Sequence, residues 1–277
     1  WIDDKHTEQN LKAINDSSIE VTPWQLLSID DDPKAEFKRA RKYGEQFGYK
    51  NNNFYYSNSK IKIGYFTPDF HQHAGMMNME GIFKSHNKDK FEIFGFDYGY
   101  NNNDNTHQRI KKYFDKFFYI CDFDDKKIKE LVTEQKIDIA IHRNGYSQLS
   151  RNSLFANRLA PLQISFLGYP GTMGVDYIDY IIADKTVIPS KFRKYFSEKI
   201  IYLPNTYFPT FNQRKISKKT YSRKDFEINE EAFVFGCFNN TYKITQKEFS
   251  LWMKLLNKIN NSFLFFLTDN KLTRNNL

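Results

Sequence analysis

The chain has 277 residues, 40% hydrophobic and 27% charged, which is the balance of a globular protein with enough length for two α/β units. Its two cysteines, Cys121 and Cys237, are far apart and in no ligand spacing, which argues against a disulfide framework and a zinc site. The formal charge of +8 comes largely from lysine as the default polar residue, and no basic stretch is interleaved with stacking aromatics, so neither nucleic acid nor a membrane is expected as a partner.

The first residues, Trp1-Ile2-Asp3-Asp4-Lys5, are polar and acidic, unlike a secretory leader, and without an initiator methionine they are expected to lie inside a longer protein. No apolar run approaches the ~20 residues of a membrane span, so a cytoplasmic protein is expected. Thr22-Pro23-Trp24 suits a helix start, since proline is tolerated in a first turn. Asp30-Asp31-Asp32-Pro33 then precedes a helix over 34–43, with acids before it and bases within it, closed by Gly44 and Gly48. Residues 51–60 read as a polar connector, so that 1–58 is expected to be a helical segment leading into the α/β part.

From Lys60 apolar runs alternate with amphipathic ones. Strands are expected over 61–66, 91–96, 117–120, 137–141, 162–166, 177–182 and 199–203, and helices over 76–85, 107–114, 125–135 and 151–158. Strands separated by helices require crossover connections, hence a mostly parallel, doubly wound α/β domain over 59–211. Residues 212–277 begin with a basic linker and open a second α/β unit. It has a strand over 232–238, a helix over 245–259 with Leu251, Leu255 and Ile259 at fourfold spacing, and a strand over 262–267. A single strand–helix–strand cannot make a sheet covered on both faces, so these strands are expected to be poorly supported within their own unit. The density of phenylalanine and tyrosine, 27 and 18 residues, together with the asparagine runs, matches an AT-rich coding bias and is not read as a functional signal.

Doubly wound sheets bind ligands outside the carboxyl ends of their strands, and four loops there carry chemistry-bearing residues. The first, Thr67 to Gly75, holds Asp69, His71 and His73. A histidine there suits a general base, a polar anchor for substrate or a helix cap, and Asp69 suits either a ligand or a turn. The second is Phe166-Leu167-Gly168-Tyr169-Pro170-Gly171-Thr172-Met173-Gly174. Its three glycines allow backbone to approach a ligand and its N–H groups suit phosphate or sugar oxygens, although such loops are also ordinary turns. The third, Phe238-Asn239-Asn240-Thr241-Tyr242-Lys243-Ile244, carries a lysine that either neutralises a phosphate or sits on the surface. The fourth is Asn144-Gly145-Tyr146, preceded by His142, which lines a cleft or the edge of the core.

Taken in order, these blocks resemble the catalytic region of the protein O-GlcNAc transferase family, including its SPINDLY-like members. The resemblance rests on Gly64-Tyr65-Phe66-Thr67-Pro68-Asp69-Phe70 with His73, on Lys90-Phe91-Glu92-Ile93-Phe94, on Asn144-Gly145-Tyr146 and on the run from Arg151 to Gln163. It continues through Leu167 to Gly174, Asp176 to Tyr180, Tyr195 to Lys199 and Phe238 to Ile244. It implies a GT-B architecture: one complete Rossmann-like domain, the first strand–helix–strand of a second, and upstream TPR repeats joined through 1–58. It implies inverting transfer of GlcNAc from UDP-GlcNAc to serine or threonine hydroxyls of proteins, with no cofactor and no metal. Catalytic roles then fall to His73, beside the acceptor and proposed in the family as a base, and to Lys243, on the diphosphate. Donor or acceptor contacts fall to Asp69, Asn144, Tyr146, Tyr169, Gly171, Thr172, Gly174, Asn240 and Tyr242. The alternatives are another donor such as GDP-fucose, used by SPINDLY-type plant relatives, and a non-catalytic glycan- or protein-binding remnant. The sequence departs from relatives at His142 and Arg143, where an acidic and an apolar residue are common, at Asn240, where animal relatives carry glutamine, and at Phe166, where they carry tryptophan. The family's main uridine and diphosphate contacts come after the position of Leu277, so the 277-residue chain alone is expected to be inactive.

Overall fold

The computed structural model describes residues 21–27, 30–100, 103–214, 216–268 and 271, and the expectations for residues 1–20 lie outside them. These residues divide into two units, the first ending at Gln213 and the second running from Arg214.

In the first unit, short runs rich in isoleucine, phenylalanine and tyrosine form seven strands: β1 Ile61–Thr67, β2 Phe91–Asp97, β3 Lys116–Tyr119, β4 Ile139–His142, β5 Leu162–Ser165, β6 Tyr180–Ala183 and β7 Lys199–Tyr202. They lie in the order β3-β2-β1-β4-β5-β6-β7, and every neighbouring pair is parallel. The central strands are apolar almost throughout because both faces of the sheet are covered, and β1 and β2 each end in five consecutive buried residues. Successive side chains alternate between faces. Tyr65 therefore joins Phe70, Met76 and Phe83 in one apolar cluster, while Phe66 joins Phe96, Phe155 and Tyr169 in the other. Phe66 stacks on Phe96 at 4.4 Å between ring centroids and 3° between planes, one of the aromatic pairs that fill this core.

The helices are α1 Pro23–Leu26, α2 Pro33–Glu45, α3 Ala74–Ser85, α4 Asn105–Lys111, α5 Asp125–Gln135 and α6 Asn152–Ala156. Asp32, Asp104 and Asp124 cap α2, α4 and α5 by accepting the backbone N–H groups of Lys34, His107 and Lys127. The expectation that Gly44 closes α2 is corrected: the helix runs through it to Glu45. A Cβ at Gly44 would overlap Val175 and approach the Tyr146 hydroxyl to 2.9 Å, so this glycine serves close packing and not termination. The α6 region is also shorter than expected, because Arg158 takes a left-handed φ of 52° that ends any helical continuation.

The second unit pairs β8 Phe233–Cys237 with β9 Ser262–Phe266 in parallel, and α7 Gln246–Lys258 provides the crossover. Thr245 and Glu248 form a capping box at the start of α7. The apolar stripe of α7 is offset by one residue from the expected one. Trp252, Leu255 and Leu256 line a 260 Å³ cavity with Phe235, Cys237 and Leu264, whereas Leu251 is 56% exposed. Spacing by four alone follows one edge of a helix, while the packed face takes residues at three and four. Among the described residues, no helix is long and apolar enough to cross a membrane.

Candidate functional site

The chain runs from β1 outward through β2 and β3, then returns to β4 on the other side of β1. The loops after β1 and β4 therefore diverge, which opens the crevice where such sheets hold ligands. The register sets Phe66 of β1 beside His142 of β4, and the residues just beyond both strands form one polar cluster. Thr67 Oγ1–H donates to Asn144 Oδ1 at 2.8 Å, and Asn144 Nδ2 donates to Asp69 Oδ2 at 2.9 Å. The Asp69 N–H donates back to Thr67 Oγ1 at 3.1 Å, and Arg143 Nη1 pairs with the same Asp69 oxygen. All four residues are buried. An ion pair this far from water is sustained only when its carboxylate is also hydrogen-bonded, as Asp69 is by Asn144. Burial pulls the Arg143 guanidinium below its ordinary pKa, and the charge of Asp69 opposes that shift.

His73 is the N-cap of α3, its Nδ1 accepting the Gly75 N–H at 3.1 Å and lying 3.9 Å from Asp69 Oδ2. Burial holds the imidazole below its ordinary pKa. Asp69 counteracts in part, and Arg143 and His71 push the same way as burial. The ring is thus neutral at neutral pH, and because Nδ1 accepts from Gly75 the proton belongs on Nε2. In this geometry His73 offers an N–H donor to a ligand oxygen. Acting as a base through Nε2 would require the proton on Nδ1 and the release of Gly75. The first turn of α3 is equally constrained on its other side, since a Cβ at Gly75 would overlap the Arg143 guanidinium. The loop carrying these residues is anchored at Phe70, whose carbonyl accepts His107 Nδ1–H at 2.6 Å while Tyr119 donates to Nε2 at 2.8 Å.

His142 is fully buried and stacks on Phe155 at 4.1 Å and 7°. Its Nε2–H donates to Asn152 Oδ1 at 2.8 Å, and burial brings its pKa down to about 4. Of the two readings open from sequence, it is a core histidine.

The glycine-rich loop after β5 begins with Leu167 at φ 84°, a left-handed conformation uncommon for a branched side chain. The Gly168 N–H donates to the Arg143 carbonyl at 2.9 Å, which ties this loop to the one after β4. Tyr169, 1% exposed, turns into the core against Trp24 and Tyr146. The Tyr146 hydroxyl donates to the Met173 carbonyl at 2.6 Å. Gly171 is buried beside the Tyr169 ring, and Gly174, at φ 65°, has no room for a Cβ against the α2 backbone at Arg41. Thr172 Oγ1–H donates to Glu198 Oε2 at 2.7 Å, and Glu198 also receives the Met173 N–H. The side chains of Tyr146, Tyr169 and Thr172 thus shape the loop from within. The sequence marks Arg143 only as a departure from relatives and Glu198 only within the Tyr195 to Lys199 block, with no role for either. Their available signal was a charged residue at the edge of an apolar strand, which has to find a partner.

Asp69, His73 and Asn144 are brought together in the first unit. In the second, Asn240 precedes the short 3-10 helix Thr241–Lys243 at the carboxyl end of β8, so Asn240, Tyr242 and Lys243 are neighbours, with Asn240 and Lys243 exposed. Among the described residues, no three His, Cys, Asp or Glu side chains are grouped to hold a metal ion.

A doubly wound parallel sheet with its polar cluster at the switch point, followed by the start of a second α/β unit, is the plan of a GT-B glycosyltransferase. The fold is shared with an O-GlcNAc transferase mutant from Thermobaculum terrenum, at a TM-score of 0.81 over 98% of this chain and 54% of that one, with 18% identity. The profile of glycosyl transferase family 41 matches residues 40–217, and the chain belongs to that family. It is 33% identical over 213 residues to the probable UDP-N-acetylglucosamine–peptide N-acetylglucosaminyltransferase SEC of Arabidopsis thaliana, covering 75% of this chain and 22% of the relative. It is 29% identical over 210 residues to the SPINDLY protein of the same plant, covering 74% and 22%. The UDP-N-acetylglucosamine–peptide N-acetylglucosaminyltransferase of Caenorhabditis elegans is 33% identical over 150 residues, 54% of this chain and 13% of that one. The chain therefore spans about a fifth of the length of the Arabidopsis relatives. The family and the GT-B fold read from the motif blocks are both borne out.

Proposed function

We propose that this chain supplies the acceptor-side part of an enzyme that transfers GlcNAc, with inversion, from UDP-GlcNAc to serine or threonine hydroxyls of a protein or peptide. The observation that carries this reading is the buried Asp69–Arg143–Asn144 cluster holding a neutral, part-exposed His73 at the switch point of a family 41 sheet. In the reaction the acceptor hydroxyl oxygen attacks the anomeric carbon, the bond to the diphosphate breaks, and the hydroxyl proton passes to a phosphate oxygen of the departing UDP. His73 serves as the polar anchor at the acceptor, donating from Nε2, with Asp69 and Asn144 fixing its loop. Lys243 neutralises the leaving diphosphate, where preorganised positive charge is most effective. The backbone of the loop containing Tyr169, Gly171, Thr172 and Gly174, backed by Tyr146, approaches the sugar, and Asn240 and Tyr242 neighbour the nucleotide. A cytoplasmic setting and upstream TPR repeats that select protein substrates belong to the same reading.

The test is a peptide transfer assay on the enzyme extended through its donor-binding half, with UDP-GlcNAc and GDP-fucose compared as donors. Transfer from UDP-GlcNAc is expected, with His73→Ala and Lys243→Ala each lowering turnover by about 10² or more. Turnover with GDP-fucose alone would reassign the donor, and unchanged turnover in both variants would remove the roles given to these residues.

A further inference from the structure

The glycine-rich loop is held by a residue to which the reading above gives no part. Glu198 lies just ahead of β7 and is 4% exposed. Its carboxylate receives two groups of the loop, Thr172 Oγ1–H on Oε2 at 2.7 Å and the Met173 N–H on Oε1 at 2.6 Å. The Thr172 oxygen in turn accepts the backbone N–H groups of Gly174 at 3.1 Å and Ser197 at 3.3 Å, and lies 3.4 Å from the Ser197 hydroxyl. A hydroxyl has one hydrogen and two lone pairs. With both lone pairs occupied by N–H groups, the hydrogen of Thr172 goes to Glu198. A backbone N–H is likewise only a donor. Both oxygens of residue 198 therefore accept, as a carboxylate does, whereas a carboxamide turns an NH2 toward one of these donors and a carboxylic acid places its own hydrogen on one of the two oxygens.

We propose that Glu198, as a carboxylate, is the positioning residue of the 168–174 loop, setting the backbone conformation that the transferase reading requires at the sugar. The proposal rests on that reading for its functional meaning and on the hydrogen-bond geometry for its substance. From the opposite side Tyr146 fixes the same peptide, its hydroxyl on the Met173 carbonyl, so the Met173 backbone is gripped at both its N–H and its C=O. The left-handed φ of 65° at Gly174 is the turn that brings these groups round to Glu198.

A proton on Glu198 would break the arrangement. Burial raises its carboxyl above the ordinary value, and the hydrogen bonds from Thr172, Met173 and Ser197 work against that rise. The groups facing it are the phenols of Tyr146 and Tyr169, with Glu36 and Arg39 of α2 beyond Tyr169. A carboxyl that titrates higher in the folded chain than in the unfolded one takes up its proton without unfolding the protein on that account. Its stabilising effect is present at acid pH and is lost as pH rises through the folded value. Opening the loop removes the bonds from Thr172 and Met173 while the carboxyl stays buried, which raises it further, so acid favours the opened loop while this group leaves the fold intact.

Amide hydrogen exchange on the 277-residue chain reads this directly. In Glu198→Gln, exchange in the segment 168–176 is expected to rise about tenfold or more, while segments of β1 and β2 keep their wild-type protection. Glu198→Asp, which keeps the charge, is expected to restore part of the protection. In the wild type, protection of 168–176, corrected for the intrinsic chemical rate, is expected to fall on acidification, and in Glu198→Gln that dependence should vanish. Wild-type exchange of the loop in Glu198→Gln, or a loss of protection equal across all segments, would overturn the proposal. Should Glu198→Gln fail to fold, the acid titration of the wild type decides alone: a loop whose protection ignores pH through the carboxylate range refutes it. Exchange is read without donor or acceptor, so this result and the transfer assay above can fail independently.

Discussion

In the first unit Phe66 and Phe96 are wholly buried between sheet and helices, whereas in the second Phe233, Phe263 and Phe265, on strands just as rich in phenylalanine, are 56%, 41% and 38% exposed. The local sequences are alike, and what differs is the number of neighbours each strand has. Seven parallel strands with crossover helices cover both faces of a sheet, while two strands and one helix do not. Among the described residues of the second unit, Ala232 alone is buried. Strand propensity therefore places both sets of phenylalanines on strands, and only the surrounding elements turn strand into core.

The contrast is broken or sharpened most forcefully by truncation. Phe96→Ala removes a stacked, enclosed ring and is expected to cost about 4 kcal/mol in urea unfolding, whereas Phe263→Ala is expected to cost less than about 1 kcal/mol. Equal losses would mean that the second unit is as well packed as the first.

The next effect comes from acid. The folded-state pKa of His142 is about 4 against an ordinary 6.5. The unfolded chain therefore binds the proton first, so stability is full above pH 6.5 and is lost as pH falls toward 4, by about 3 kcal/mol. The buried shares of His73 and His86 act in the same direction. Residues 214–277 contain no histidine, so thermal unfolding between these pH values should report the loss in the first unit, with a flatter dependence in His142→Gln.

Glycines give a smaller version of the same test. Gly174→Ala meets both a positive φ and the backbone at Arg41, and about 2 kcal/mol should be lost. For Gly236→Ala in β8 the nearest atom to the new Cβ is in the Phe238 ring at 3.5 Å, and the loss should stay below about 1 kcal/mol. Helix caps act locally and ought to erase the difference. Asp32→Ala at α2 and Thr245→Ala at α7 are each expected to cost about 1 kcal/mol by thermal unfolding, whichever unit carries them.

Features dictated by near neighbours in sequence were legible. Apolar runs marked β1, β2 and the α5 helix within a residue or so, and their alternation with helices announced the parallel sheet. The switch-point loops followed, since any such sheet places them at the strands' carboxyl ends. Features that depend on partners far along the chain were not. Gly44 looked like a helix stop because nothing nearby reveals Val175, more than a hundred residues on, packed against it. Tyr146 and Tyr169 enter the sequence reading only as positions the resemblance places near a ligand, and nothing local in sequence reveals that the hydroxyl of one meets Met173 and the ring of the other meets Trp24. Arg143 stands in the sequence only as a departure from relatives and Glu198 only as part of a matching block, and it is their burial beside Asp69 and Thr172 that gives them work.

The overlap between Arg143 and the place a side chain would take at Gly75 also couples these two positions. A side chain at 75 and the guanidinium of 143 compete for one volume, so a residue larger than glycine at 75 pushes Arg143 off Asp69 unless 143 is shortened with it.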